Sequence, residues 1–148
     1  MVSIKQMKYA DSYEEAYKRP MKILAQSTYK GYNYAILDGQ GSHPRAYIGI
    51  PDNHPCHGIS SHHIWWIGGN DQRTFAKEVT YSSDHLQFIN MPTSWIIGWD
   101  YGEYGKSFYN PYGRKFTTYE ILLDVFDVIN ELITIQKHNI KVIEEENW

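Results

Sequence analysis

Apolar positions fall into one long helical pattern and several short runs. Ile121, Leu122, Val125, Ile129, Leu132 and Ile133 recur at helical spacing and make one apolar face. Thr117 and Glu120 have capping-box spacing, so this helix is predicted to start at Thr117, and Asn139 is a residue able to end it. Its apolar face needs a sheet to cover. Residues 31–37 and 46–50 read as strands, separated by the turn residues Asp38, Gly39, Gln40 and Gly41, and are predicted to pair as an antiparallel hairpin. Residues 64–68 and 75–81 read as two further short strands, with a turn over 82–85. Trp95, Ile96, Ile97 and Trp99 form a run without helical spacing, which suits a strand covered on both faces. Near the start, residues 11–17 open a helix that Asp11 or Ser12 can cap, with Glu14 and Glu15 at the positive end of its dipole. Pro20 interrupts it or begins a second turn, and Met21, Ile23 and Leu24 are expected core contacts.

The order of helix, several strands and long helix argues for an α+β fold. We expect a mostly antiparallel sheet with a short N-terminal and a long C-terminal helix packed on it. The strand connections are too short for helical crossovers, which weighs against a parallel sheet. A length of 148 residues suits one domain over 1–148, with 144–148 as a charged tail.

Charge narrows the partners. With 14 Lys+Arg against 17 Asp+Glu, the formal net charge is -3, and no basic footprint for general DNA or RNA binding exists. A single cysteine, Cys56, gives no internal disulfide framework and fits a reducing compartment. Residues 1–6 are polar and carry Lys5, unlike a signal peptide, and no apolar run approaches membrane-spanning length. The expectation is a cytoplasmic protein without a membrane partner.

Candidate chemistry is sparse. His54, Cys56, His57, His62 and His63 lie close together but lack a paired-cysteine or helical His-x-x-x-His spacing, so a polar loop is favoured over a metal site. Asp100 and Glu103 have the residue types of an acid/base pair, yet loop spacing does not bring two carboxylates into one cleft. No nucleophile motif, P-loop or Gly-x-Gly-x-x-Gly occurs. No catalytic residue, metal or cofactor is therefore assigned. The aromatic share is 16%, including 13 tyrosines, and Phe88, Trp99, Tyr101 and Tyr104 flank turns or loops. Such rings can stack on nucleobases, although most of the tryptophans are expected in the core. Arg114 and Lys115, with Arg45, are candidate phosphate donors.

Three blocks carry a resemblance. They are residues 41–51 (Gly-Ser-His-Pro-Arg-Ala-Tyr-Ile-Gly-Ile-Pro) with His54, Pro55 and Gly58; residues 79–86 (Val-Thr-Tyr-Ser-Ser-Asp-His-Leu); and residues 95–101 (Trp-Ile-Ile-Gly-Trp-Asp-Tyr) with 117–122. Over 31–132 the chain resembles a widespread family of small phage and prophage proteins. It departs from that family's pattern where Ala76, Lys77 and Glu78 replace a His-Gly-Gly, and where residues 102–106 replace an Ala-His-x-Gly-Asp. Histidines at those positions are lost, which favours binding over catalysis. In size and in its aromatic, Arg-bearing rim the chain is also similar to the Thoeris anti-defence sponges, which sequester cyclic ADP-ribose-type signals or cyclic oligonucleotides between protomers.

The resemblance implies an anti-defence binding protein that sequesters a small nucleotide-type signal as a homo-oligomer. In that reading Phe88 and Trp99, with Tyr104, hold the base. Arg114 and Lys115 meet phosphate, and Asp100 or Asn90 bonds ribose or base edges. The alternatives are a protein–protein inhibitor of a host effector, anti-CRISPR-like, and a small hydrolase using Asp100, Glu103 and a loop histidine.

Overall fold

The computed structural model describes residues 3–67, 78–102, 106 and 110–141. Helix α1 (Tyr13–Lys18) is followed by strands β1 (Ile23–Tyr29), β2 (Tyr32–Leu37) and β3 (Arg45–Gly49). After these come the short helix α2 (Ser61–Ile64), strands β4 (Tyr81–Ser83) and β5 (Ile96–Asp100), and helix α3 (Thr118–Lys137). The five strands form one antiparallel sheet in the order β1-β2-β3-β5-β4, and the fold is α+β.

Helix α3 begins where the capping box places it. The Thr117 hydroxyl accepts from the Glu120 N–H at 3.1 Å, and the Glu120 carboxylate accepts from the Thr117 N–H at 3.1 Å. The helix ends on Asn139 at φ 49°, with the N–H groups of Asn139 and Ile140 bonded to the carbonyls of Gln136 and Ile135. That double closure is a Schellman motif. The buried stripe of α3, with Ile121, Val125, Val128, Ile129 and Leu132, packs against Tyr34, Ile36, Ile48 and Ile97. The opposite face of the sheet carries a smaller cluster, in which Ile89 and Met91 from the β4–β5 connection cover Ala35, Leu37, Tyr47 and Ile96. Strand β5 is thus covered on both faces, as its continuous apolar run predicts.

Three expectations need correction. Residues 23–29 form β1, where core contacts alone were expected. Its hairpin with β2 closes on Lys30 and Gly31, both at positive φ (49° and 85°), which is the geometry of a type I′ turn. Residues 64–67 are not a strand: Ile64 ends α2 and a turn follows, capped at Ser60. Ser82 and Ser83, expected in a turn, pair with β5 as part of β4. Of the strand expected over 75–81, residues 75–77 lie outside the described residues, as does the tail at 144–148. No helix among the described residues is long and apolar enough to cross a membrane.

Candidate functional site

Strand register assembles the site. Arg45 pairs with Asp100, while Tyr47 and Tyr81 both pair with Gly98. Opposed residues share a face, so Arg45, Tyr47, Tyr81 and Asp100 stand together on the side away from α3. Gly98 creates the room. A Cβ there would lie 2.5 Å from Tyr47 Cδ1 and 2.6 Å from the Ala46 carbonyl oxygen. The Tyr47 ring fills this space and meets Tyr81 edge to face at 5.3 Å between centroids. His43, just before β3, lies against Gly102, whose N–H donates to the Asp100 carboxylate at 2.9 Å.

These groups line a cleft of about 360 Å³, with Thr80 on its rim. His43 and Arg45 also line a second hollow of about 320 Å³, bounded by Tyr13, Tyr17, Gln40 and Ser42. Tyr13 and Tyr17 are 53% and 80% exposed. The Arg45 guanidinium therefore stands between two concavities, each edged by tyrosine.

The local fields oppose one another. Burial pushes His43 below its ordinary pKa, against the Asp100 carboxylate and with the Arg45 guanidinium. Burial raises the Tyr47 phenol, which the charge and hydrogen bonding of Arg45 counteract, while Tyr81 and Asp100 push the same way as burial. Arg45 Nε is buried and finds no acceptor among the described residues. A donor left so costs about 1–3 kcal/mol and calls for a reason at the site. The arrangement offers one cation, one carboxylate, an uncharged imidazole and phenol edges, which suits a ligand carrying both anionic and hydrogen-bonding groups.

The residues expected to bind are dispersed. Asp100 is exposed and in the cleft. Trp99 borders it but is only 2% exposed: its Nε1 donates to the Tyr101 hydroxyl at 3.1 Å, which donates to Asp124 Oδ2 at 2.7 Å. This buried chain on the α3 side makes Trp99 a core residue, not a stacking platform. Phe88 is exposed on the β4–β5 connection. The carbonyl of exposed Asn90 accepts from the Gln26 amide on β1. Gln26, Ala35, Tyr47 and Gly98 form one cross-sheet row, so the Gln26 backbone is three strand spacings, roughly 14 Å, from β5. Arg114 is ion-paired with Glu120 and packs over Phe116, and Lys115 lies 6.0 Å from the Tyr9 ring centroid. Tyr104 and Glu103 lie outside the described residues.

His43, Tyr47 and Tyr81 were not singled out for binding. The cleft draws on three separate stretches of sequence, with His43, Arg45 and Tyr47 from the first, Thr80 and Tyr81 from the second and Asp100 from the third.

The histidine group has other work. Nδ1 of buried His54 accepts from the Cys56 N–H at 2.9 Å, so Nε2 carries the proton and donates to the Leu132 carbonyl at 2.7 Å. His62 and His63 are exposed on α2, not on a strand. His57, Ser94 and Asp52 form a contact trio with the residue types of a hydrolase triad. Its wiring differs from one: His57 Nε2 meets both Ser94 Oγ (2.9 Å) and Asp52 (3.1 Å), and the Ser94 hydroxyl donates to Asp52 at 3.0 Å. The serine proton is thereby directed to the carboxylate instead of to the imidazole.

No family model, curated protein or solved structure matches the chain. The class of protein the fold and cleft define is an α+β chain with a five-stranded antiparallel sheet, backed by one long helix and bearing a polar cleft on its other face.

Proposed function

We propose that this chain is a binding protein that sequesters a small nucleotide-type signal, of the cyclic ADP-ribose or cyclic oligonucleotide kind, without transforming it. The observation that supports the reading is Arg45, set between two adjoining hollows with Tyr47 and Tyr81 along one and Tyr13 and Tyr17 along the other. A guanidinium meets phosphate in bidentate fashion, and tyrosine faces take bases with little regard to their identity. Asp100 accepts hydrogen bonds from ribose hydroxyls or base amines. A base stacked on Tyr17 keeps its far side in water unless a second subunit closes over it, so the reading includes a homo-oligomer. Retention then depends on slow release.

Calorimetry with cyclic ADP-ribose isomers and cyclic dinucleotides tests this. At least one ligand is expected to bind, with Arg45→Ala weakening it more than tenfold and Arg114→Ala leaving it unchanged. The ligand should be recovered intact by chromatography. No heat with any of them, or turnover of the one that binds, overturns the proposal.

A further inference from the structure

A third concavity, of about 470 Å³, lies where the N-terminal segment crosses between α1 and the start of β1. It shares no lining residue with the hollows around Arg45. Its wall carries Lys5, Lys8, Arg19 and Lys22, with Asp38 as the lone carboxylate. In a chain of formal net charge -3, this is a local reversal of sign.

The charges are not balanced from within. Asp38 is buried and its Oδ1 accepts from the N–H groups of Lys22 and Gln40, both at 2.9 Å. Arg19 pairs with Glu15 at 2.6 Å. No carboxylate among the described residues pairs with the ammonium groups of Lys5, Lys8 or Lys22. Yet the backbone beneath each lysine is fixed. The Lys5 N–H donates to the Leu24 carbonyl at 2.7 Å, and its own carbonyl accepts from the Thr118 hydroxyl at 2.6 Å. The Lys8 carbonyl accepts from Arg19 Nη1 at 2.6 Å, and the Lys22 carbonyl accepts from the Asp38 N–H at 3.0 Å. Three lysines without a carboxylate partner among the described residues are thus anchored by their backbones around one hollow. A concave surface of one sign also focuses its field and raises the local concentration of counter-ions.

We infer that this hollow is a binding site for a compact polyanion, namely a small molecule carrying adjacent phosphate groups. Ammonium groups bind phosphate as point charges, and three of them match a chain of phosphates better than a single one. The site shares no lining residue with the proposed cleft, so each can fail without the other.

The test uses the full chain and inorganic tripolyphosphate, with orthophosphate as comparison, in calorimetry at low and raised salt. Tripolyphosphate is expected to bind at least tenfold more tightly than orthophosphate, and more weakly as salt rises. Replacing Lys5, Lys8 and Lys22 together by glutamine should weaken it at least tenfold. The charge-matched set Lys18→Gln, Lys137→Gln and Lys141→Gln should change it less than twofold, as should Arg45→Ala. Amide shift mapping on the unaltered chain gives a readout independent of variant folding, with the largest changes expected at residues 5, 8 and 22. Equal weakening by both lysine sets, loss of binding in Arg45→Ala, shifts centred elsewhere, or no preference for tripolyphosphate would each overturn the inference.

Discussion

Single residues show how burial rewrites chemistry that looks reactive on paper. Cys56 lies between a proline and a histidine in sequence, but it is fully buried, and burial with the nearby Glu131 charge pushes its thiol up to about 12. A thiol-specific reagent should leave it unmodified in the native protein and titrate one equivalent in denaturant; fast native labelling would contradict this. His54 is uncharged and bonded through both ring nitrogens. Burial depresses its pKa, against the pull of the Leu132 carbonyl, and His43 is depressed by burial as well. For a depressed histidine the unfolded chain binds the proton more readily. The stabilisation is complete above the unfolded value, about 6.5, and is lost as pH falls through the folded one. The midpoint of thermal unfolding should therefore fall from pH 8 towards pH 5.5. His54→Gln should flatten that slope without abolishing it, because His43 contributes with the same sign. An unchanged slope would remove His54 from the explanation.

At the scale of elements, the termini of α3 and the β1–β2 hairpin separate strong local signals from weak ones. Thr117 and Glu120 read correctly because a capping box is satisfied within one turn of chain. Thr117→Ala should cost about 1 kcal/mol in denaturant unfolding. Strand β1 leaves a weak mark in the sequence because a type I′ turn ordinarily announces itself with Asn-Gly, and here Lys30 takes the left-handed position. A non-glycine residue there costs roughly 1–2 kcal/mol. Lys30→Asn should raise stability by up to about 1 kcal/mol, part of the gain being offset by the lost bond from Lys30 Nζ to Asn130. A loss of stability would show that this bond outweighs the turn. Residues 64–67 misread for the reason short apolar runs often do. Four apolar residues fit a buried strand or a buried helical turn equally well, and the Ser60 cap decided between them.

In the molecule as a whole, the sheet separates two kinds of interior. The α3 face is mainly apolar and carries the buried Trp99–Tyr101–Asp124 chain, where Tyr101→Phe takes one hydrogen-bond partner from the indole N–H and one from the carboxylate. It should cost about 1–3 kcal/mol or more by denaturant unfolding, with an unaltered midpoint counting against the chain as a stabilising feature. The other face is incompletely covered by the β4–β5 connection, and the cleft around Arg45 opens there.

Much of this architecture was already legible in the chain. Apolar spacing marked α3 and its sheet-covering face, the Trp95–Trp99 run marked a strand buried on both sides, and local capping residues marked helix ends. These features depend on neighbours a few residues apart, so the order of amino acids suffices to determine them. The cleft does not. His43, Arg45, Tyr81 and Asp100 meet only because strands far apart in sequence pair in one register, and a shift of one residue would turn each to the opposite face. For the same reason Trp99 and Asp100, adjacent in sequence, part company: alternation along β5 sends the indole into the core and leaves the carboxylate at the opening.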